Sequence, residues 1–310
     1  MRPYSRVYAT VNLDAVASNM RSMRDNLPAS TLIMGSVKAD GYGHGSVPVA
    51  KTIEPYVFGY AVATIDEGII LRRHGINKTI LILGVTHESR YEDLLRYDIR
   101  TAMFQYEKAK KLSDLAVKHG KKAVVHLALD TGMSRIGMKA DREHAKEAAA
   151  IAALEGIEVE GLFTHFARAD ETDKSAYEEQ YRRYKEFLGY LEELGVQIPI
   201  RHCSNSAGIV ESLESNHMDM VRAGIAIYGM YPSDEVDHNS VKLTPAMEIK
   251  SCITYIKEIE AGTAVSYGGT FVADHTMKVA TIPVGYGDGY VRSLSGKGDV
   301  LIHGKRAAIL

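Results

Sequence analysis

The chain has 310 residues, with 37 Lys or Arg against 39 Asp or Glu and a formal net charge of -2. This balance excludes the basic surface that a nucleic-acid-binding protein needs. No apolar run reaches membrane-spanning length, and the N-terminus has no apolar signal-peptide core. The only cysteines, Cys203 and Cys252, suggest no disulfide framework. We therefore expect a cytoplasmic protein that has neither a nucleic-acid nor a membrane partner.

Short apolar strands alternate with amphipathic helices over residues 1–240. Asn12 is a suitable N-cap for a first helix, Leu13–Asn26. Further helices are predicted at Asp66–His74, Glu107–His119, Arg142–Leu154 and Ser175–Leu194. Strands are predicted at Thr31–Val37, Val57–Ala61, Thr79–Leu83, Arg100–Met103, Ala123–Leu129, Val159–Thr164, Ile200–Cys203 and Met220–Val221. This alternation indicates parallel strands joined by helical crossovers, and eight strands in this length fit a closed (β/α)₈ TIM-like barrel. A doubly wound open sheet is the main alternative, although no G-x-G-x-x-G opens a helix.

From about Leu243 the helical periodicity disappears. Four segments separated by glycine turns have the composition of strands: Met247–Ile256, Thr263–Val272, Met277–Val284 and Asp299–Ile302. Residues 241–310 are therefore predicted to form a second, β-rich domain. Its last apolar run, Ala307–Leu310, stops without a turn signal, so we expect this domain to be truncated.

The sequence Val37-Lys-Ala-Asp-Gly-Tyr-Gly-His-Gly45 follows the first predicted barrel strand. A lysine at the end of a buried strand is partly desolvated, which lowers the pKa of its amine and makes Lys38 a candidate nucleophile towards a carbonyl carbon. The glycines allow close backbone approach to a ligand, and the Tyr42 hydroxyl can donate to an anion. An ordinary solvated lysine followed by a glycine turn is the alternative for this stretch alone.

Unusual polar residues follow several other predicted strands, at the end of a barrel where active sites form. They are Asp130–Gly137, which contains Arg135; Thr164–Phe166, which contains His165; His202–Ser206; and Arg222–Ile225. The set lacks a Ser-His-Asp arrangement, paired glycosidase carboxylates and metal-binding spacings, so no metal is expected. A reactive amine beside a phosphate cradle fits pyridoxal 5'-phosphate, an aldehyde that serves as an electron sink. The spacing alone does not separate such an enzyme from a lysine-dependent aldolase.

These stretches resemble the motifs of bacterial alanine racemases. The likeness begins with residues 37–45 and covers essentially the whole chain in order. It continues through Asp130-Thr-Gly-Met-Ser-Arg-Ile-Gly137, Thr164-His-Phe-Ala167, Ser204-Asn-Ser206, Val221-Arg-Ala-Gly-Ile-Ala-Ile-Tyr-Gly229, Val265-Ser-Tyr-Gly268 and Gly285-Tyr-Gly-Asp-Gly-Tyr290. The resemblance implies a fold-type III pyridoxal-phosphate isomerase that works as a homodimer. Its expected role is to interconvert L- and D-alanine, which supplies D-alanine for peptidoglycan.

The resemblance also implies the catalytic groups. Lys38 would hold the cofactor and then carry a proton on one face of the substrate Cα, while Tyr267 of the partner subunit would serve the other face. A phenol, with an ordinary pKa of about 10, is a poor base at neutral pH. His165 and the arginines would therefore favour its phenolate. Arg222 would donate to the pyridine nitrogen of the cofactor.

The remaining roles implied by the resemblance concern binding. Arg135 would bind the substrate carboxylate and the phenolic oxygen of the cofactor. Tyr286 of the partner subunit would line the entrance to the site. The phosphate cradle would consist of Tyr42, Ser206 and the backbone amides of Gly224 and Ile225, with Asn205 supporting that loop.

Two departures from the family pattern are visible. Many members carry a carbamylated lysine seven residues before the arginine that corresponds to Arg135, whereas this chain has Ala128 there. We expect a water or a small anion such as chloride to fill that space. The family also continues beyond the position of Leu310 with a Cys-Met-Asp segment and a phosphate-binding tyrosine.

Three alternatives stay open from the sequence. One is a pyridoxal-phosphate carrier without turnover, although such proteins lack the β domain that contains Tyr267. A second is a decarboxylase of basic amino acids or diaminopimelate, although the glycine-rich phosphate loop of that group is absent. The third is a racemase of another amino acid, such as serine or lysine.

Overall fold

The computed structural model describes residues 6–310 and divides them into two compact units. The first unit is Asn12–Ala246, and the second combines the N-terminal strand Val7–Val11 with Met247–Leu310. The predicted domain boundary after residue 240 lies a few residues before this division. The N-terminal strand belongs to the second unit because it pairs antiparallel with Met247–Ser251, from Val7 opposite Ser251 to Val11 opposite Met247.

Eight parallel strands form a nearly closed barrel in the first unit. Their bounds are Leu32–Ser36, Gly59–Val62, Thr79–Ile82, Arg100–Met103, Ala123–Asp130, Ile157–Phe163, Ile200–His202 and Met220–Ala223. Each strand pairs with the next along the chain as far as Ile200–His202, and the last strand pairs with the first. Across the remaining gap, the Arg222 backbone N–H donates to the Ser204 carbonyl at 3.0 Å. The predicted TIM-like barrel is therefore confirmed, and the open doubly wound sheet is excluded.

Helices cover the outside of these strands and bury their apolar faces against them. They span Leu13–Asp25, Ser46–Ile53, Ile65–Arg73, Tyr91–Tyr97, Tyr106–Lys118, Arg142–Ala152, Ser175–Glu193 and Ser206–Val210. The Asn12 side chain caps the first helix by accepting from the Ala15 N–H at 3.1 Å. In Ser175–Glu193, the aromatic residues at spacings of three and four are all buried: Tyr177, Tyr181, Tyr184 and Phe187. None of the helices within residues 6–310 has the length and apolar composition needed to cross a bilayer.

The second unit is rich in short antiparallel strand pairs, as its composition predicts. Its strands are Val7–Val11, Met247–Ser251, Tyr255–Ile259, Ala264–Val265, Phe271–Val272, Met277–Thr281, Asp299–Ile302 and Lys305–Ala308. Two of the predicted strands are each divided in two. Met247–Ile256 is interrupted after Ser251, and Thr263–Val272 is interrupted by a short 3₁₀ turn at Tyr267–Gly269. That turn places Gly268 at φ 78°, outside the range of a regular strand.

Candidate active site

Lys38 lies just past the end of the first barrel strand, separated from Ser36 by Val37, which the sequence had placed within the strand. The preceding Val37 is fully buried, and the Lys38 amine lies 5.9 Å from the centre of the Tyr42 ring. Burial, followed by the positive charges of Arg135 and Arg222, lowers the pKa of the Lys38 amine below its ordinary value. A larger fraction of the amine is therefore neutral and nucleophilic near pH 7 than in a solvated lysine.

A left-handed turn after Lys38 brings Tyr42 into the site. All five residues from 39 to 43 have positive φ, between 50 and 84°. This conformation is unfavourable for Ala39 and Asp40, by roughly 1–2 kcal/mol for each residue. Two carboxylates hold it in place: Glu67 accepts from the Ala39 N–H, and Asp40 accepts from the Ser46 N–H, both at 2.8 Å. Such local strain marks a segment whose shape is imposed by its surroundings.

Ser206 and Tyr42 line a small polar cradle beside Gly224. A Cβ built on Gly224 would lie 3.5 Å from the Ser206 Oγ and 3.7 Å from the Tyr42 hydroxyl oxygen, so the glycine leaves the space between both hydroxyls open. The Gly224 N–H donates to the Ser206 Oγ at 2.9 Å, which leaves the serine hydroxyl hydrogen available for another acceptor. Burial raises the pKa of Tyr42, so its hydroxyl also keeps the proton that it can donate.

Asn205 ties two strand-end loops together. Its Oδ1 accepts from the Gly208 N–H at 3.2 Å, and its Nδ2 donates to the Phe166 carbonyl at 3.3 Å. These contacts fit the predicted role of supporting the loop that carries Ser206. The structure shows no direct contribution of the Asn205 side chain to the cradle itself.

Arg222 is a buried cation, only 3% exposed. Its Nη2 donates to the Thr164 carbonyl at 2.6 Å and to the Cys203 carbonyl at 3.0 Å. Its Nη1 donates to the His202 carbonyl at 3.0 Å and to the His202 Nδ1 at 2.9 Å. Burial lowers the pKa of the guanidinium to about 10, so Arg222 still carries its charge at neutral pH. Within residues 6–310 no carboxylate pairs with it, and the bonds to carbonyls and to His202 use both hydrogens of each Nη, so the Nε–H is the donor that remains for a ligand.

His165 is held neutral next to this cation. The Arg222 Nη2 lies 3.3 Å from the His165 Nδ1, and its two hydrogens also serve the shorter bonds to the Thr164 and Cys203 carbonyls. A ring nitrogen that faces a cation this closely is favoured in its unprotonated form. Burial, followed by the charges of Arg222, Arg135 and Lys38, lowers the pKa of His165 to about 3. His165 can therefore offer a hydrogen bond from Nε2 to a phenolate, but no positive charge at pH 7.

Arg135 lies in the loop that follows the fifth barrel strand. Its side chain is exposed, and among residues 6–310 its guanidinium makes neither a hydrogen bond nor an ion pair. Ala128, which stands where many family members have the carbamylated lysine, is 1% exposed. It packs in an apolar cluster with Ala102 and Phe163. The expectation of a water or a chloride ion beside Ala128 was therefore wrong, because apolar side chains fill that space.

The two tyrosines predicted to come from a partner subunit both lie in the second unit. Tyr267 is 76% exposed and Tyr286 is 72% exposed. Tyr267 stands in the 3₁₀ turn that interrupts the predicted strand, and Tyr286 begins a similar turn, Tyr286–Asp288. Turns at these positions leave both phenols accessible to another molecule.

Sequence reasoning missed two polar residues that connect to Arg222 through His202: the buried His126 and the partly buried Glu160. His126 is fully buried in the middle of the strand Ala123–Asp130, and its ring bonds His202 and Glu160. The position of His126 in the middle of an otherwise apolar strand was the sequence feature that could have indicated a buried polar role. Glu160 gave no such signal, because a glutamate in the run Glu158-Val-Glu160 looks like a solvated residue.

The residues of the barrel fit pyridoxal phosphate. An aldehyde needs an amine that is neutral at working pH, which the environment of Lys38 promotes. A phosphate needs convergent donors, and the open space at Gly224 lies between two hydroxyls. Arg222 adds a charged donor that stays protonated. Within residues 6–310 no cluster of His, Cys, Asp or Glu could hold a metal ion.

Comparisons with known proteins agree with this geometry. Residues 11–232 match the family model of the alanine racemase N-terminal domain, and residues 246–310 match that of the C-terminal domain. The alanine racemase of Desulforamulus reducens is 44% identical over 98% of this chain and 82% of its own length. That of Clostridium perfringens strain SM101 is 43% identical over 98% of this chain and 78% of its own length.

Solved structures give the same result. The alanine racemase of Clostridium difficile 630 has a TM-score of 0.92 and 40% identity, covering 98% of this chain and 80% of that one. The enzyme from the D-cycloserine producer Streptomyces lavendulae has a TM-score of 0.92 and 34% identity, covering 99% and 81%. Because both family models match and the resemblance runs through nearly the whole chain, the protein belongs to the alanine racemase family of pyridoxal-phosphate enzymes.

Proposed function

We propose that this chain interconverts L- and D-alanine with pyridoxal phosphate held at Lys38, and so supplies D-alanine for peptidoglycan. The observation that carries the proposal is that an amine of lowered pKa, a buried arginine and a hydroxyl cradle all follow strands at one end of the barrel. When bound, the cofactor supplies an electron sink for negative charge that develops at the substrate Cα. The protein then has to deliver protons to either face of that carbon.

Two proton carriers are required, because a single base tends to return the proton to the face from which it came. Lys38 is the proposed carrier on one face, since the lowered pKa of its amine brings proton uptake and release closer to neutral pH than in a solvated lysine. The partner subunit's Tyr267 is the proposed carrier on the other face. The neutral His165 is placed to donate a hydrogen bond from Nε2 that favours the phenolate.

Arg222 is the proposed partner of the pyridine nitrogen. Its guanidinium contains no acceptor atom and has a pKa of about 10, so it acts only as a donor at neutral pH. A nitrogen that accepts from such a donor is left unprotonated. This weakens the electron sink and discourages the side reactions that follow from a long-lived negative charge at Cα.

The other proposed roles concern binding. Tyr42, Ser206 and the backbone amides of Gly224 and Ile225 hold the phosphate, and Asn205 fixes the loop that carries Ser206. The Gly224 N–H donates to the Ser206 Oγ in this structure, so it has to exchange that acceptor for a phosphate oxygen. Support comes from the open cradle at Gly224 and from the two loops that the Asn205 amide joins.

The substrate carboxylate is assigned to Arg135, whose guanidinium makes no other polar contact within residues 6–310. Tyr286 of the partner subunit is assigned to the entrance of the site. Its 72% exposure leaves the phenol free to approach another subunit.

The proposed reaction is tested by incubating the chain with L-alanine and pyridoxal phosphate in D₂O, and measuring both optical rotation and deuterium at Cα. Loss of rotation with deuterium incorporation is the expected result. Cofactor binding with neither change would instead support a carrier without turnover. Release of CO₂ from lysine or diaminopimelate would support a decarboxylase. Parallel incubations with L-serine and L-lysine measure how far the substrate range extends.

The shared site is tested by mixing two inactive variants, Lys38→Ala and Tyr267→Phe. If each site takes Lys38 from one subunit and Tyr267 from the other, every mixed dimer contains one intact site. Random mixing then restores about a quarter of the wild-type activity. No restoration, although sedimentation shows that the subunits have exchanged, would place both residues in the same subunit.

A further inference from the structure

Four polar residues of the first unit form an unbroken hydrogen-bonded chain that ends at Arg222. The Arg222 Nη1 lies 2.9 Å from the His202 Nδ1, and the His202 Nε2 lies 2.8 Å from the His126 Nδ1. The His126 Nε2 then lies 2.9 Å from the Glu160 Oε2. Both histidine rings are fully buried. Polar side chains in such surroundings are costly unless each one is satisfied, so the continuity of this chain calls for an explanation.

The two ends of the chain dictate the position of every proton in it. Arg222 can only donate, so the His202 Nδ1 must be unprotonated and accept. His202 therefore carries its hydrogen on Nε2 and donates to the His126 Nδ1. His126 in turn carries its hydrogen on Nε2 and donates to Glu160, which as a carboxylate can only accept. Both rings are thus neutral Nε2–H tautomers that point in the same direction.

The pKa shifts are consistent with this assignment. Burial lowers the pKa of His126 below its ordinary value and that of His202 well below it, so both rings are neutral at pH 7. Burial alone would raise the pKa of Glu160, but its hydrogen bond from His126 and the nearby Arg100 lower it overall. The Arg100 Nε lies 3.5 Å from the Glu160 Oε2. Glu160 is therefore an ionised acceptor.

The backbone is specifically adapted to hold His126 and Glu160 together. The ladder between their strands aligns Val125 with Val159 but His126 with Gly161, so Glu160 is the extra residue of a β-bulge. A Cβ on Gly161 would lie only 2.4 Å from the His126 Nδ1, and thus only glycine leaves room for the ring. A bulge redirects a side chain, and here the redirected one closes the chain of hydrogen bonds.

We propose that Glu160, His126 and His202 are positioning residues, which form a directed relay that fixes the guanidinium of Arg222 in place as a donor. The relay ends on a carboxylate, so it also balances the charge of a cation that has no carboxylate partner of its own. The hydrogen-bond direction stands on geometry alone. Its consequence for turnover rests on the proposed racemase function.

The direction of the relay is tested by ¹⁵N NMR of the cofactor-loaded chain with labelled histidine, using His126→Gln and His202→Gln to assign the signals. An unprotonated ring nitrogen resonates far downfield of a protonated one. We expect a downfield Nδ1 and an upfield Nε2 for both rings near pH 7. A protonated Nδ1 on either ring, or a doubly protonated ring, would overturn the proposal. This measurement needs no variant of Glu160 and no activity.

Glu160→Gln tests the link to Arg222. The amide oxygen can still accept from the His126 Nε2, so the direction that Arg222 imposes is kept, but the negative charge that polarises the two rings is lost. We expect changed His202 signals and a fall in kcat on the order of tenfold, the lower end of the effect seen when the second partner of a metal-bound histidine is removed. KM should change little, because Arg222 is assigned to the cofactor and not to the substrate.

Glu147→Gln is the matched control, because Glu147 is also partly buried and accepts from the Tyr106 N–H at 2.9 Å, outside the relay. This control variant should leave the His202 signals and kcat unchanged. Unaltered His202 signals in Glu160→Gln, or equal losses in the two variants, would refute the positioning role. If the unmodified chain shows the expected tautomers but no racemisation, the proposed function fails and the relay stands.

Discussion

His165 should make the protein less stable in acid, and the variant His165→Asn should remove that sensitivity. The native ring has a pKa of about 3, whereas an unfolded histidine has its ordinary value of 6.5. Below pH 6.5 the unfolded chain therefore binds a proton that the native ring does not accept. Stability falls as the pH drops from 6.5 towards 3, and no such loss occurs above 6.5. The Asn side chain cannot titrate, yet its Oδ1 can still accept from Arg222.

The magnitude follows from the two pKa values. At pH 5 the solution is about 1.5 pH units below the pKa of the unfolded histidine, and proton binding by the unfolded chain favours unfolding by about 2 kcal/mol. At pH 7 the same proton binding favours unfolding by only about 0.2 kcal/mol. The native ring stays neutral at both pH values, because pH 5 is still about two units above its own pKa. Between pH 7 and pH 5 the free energy of unfolding of His165→Asn should therefore fall by about 2 kcal/mol less than that of the wild type.

The assay is urea unfolding at the two pH values, at one protein concentration and without cofactor, whose binding has a pH dependence of its own. The chain has no tryptophan, so the signal is far-ultraviolet circular dichroism. The control is His217→Asn, which changes an exposed histidine of the same unit and should leave the pH dependence unchanged. An equal loss in wild type and His165→Asn would show that the native His165 ring is protonated in acid, contrary to the geometry at Arg222.

Further predictions concern the site and the bulge. Lys38→Ala should abolish the visible absorbance of bound cofactor, and an unchanged spectrum would place the attachment elsewhere. Tyr267→Phe should keep that absorbance and lose racemisation in both directions, because each direction needs both proton carriers. It should still exchange the Cα hydrogen of the one enantiomer that Lys38 deprotonates; loss of exchange from both enantiomers would count against two separate proton carriers. Gly161→Ala should destabilise the fold by about 1–3 kcal/mol, because its Cβ would overlap the His126 ring. The matched change Gly189→Ala, on an outer helix with open space around it, should instead stabilise by up to about 1 kcal/mol, and thermal unfolding of both variants checks the pair.

The barrel was predictable because its signals are local. Apolar runs of strand length alternate with amphipathic helices, and the predicted strand Arg100–Met103 and the start of Ala123–Leu129 agree with the structure to the residue. Short helices such as Ser46–Ile53 were missed, because eight residues with a proline show little periodicity. The division of Met247–Ile256 into two strands was missed because nothing between Ser251 and Tyr255 has the character of a turn residue.

The candidate site was predictable to the extent that strand ends and family motifs identify residues. Its conformation was not. Positive φ at Ala39 and Asp40 is imposed by contacts with residues distant in sequence, such as Glu67, and no local propensity indicates it. The bulge at Glu160 depends on the register of two strands, which a single sequence does not specify. The space beside Ala128 was predicted wrongly, because apolar neighbours from other strands fill it.

The attachment of the cofactor is the claim on which the other roles depend, and peptide mapping tests it directly. The chain is incubated with pyridoxal phosphate, treated with borohydride to make the linkage permanent, digested and analysed by mass spectrometry. The phosphopyridoxyl group is expected on the peptide that contains Lys38, and on no other lysine in comparable yield. Its appearance mainly on another lysine, or on none, would contradict the assignment of this barrel end as the cofactor site.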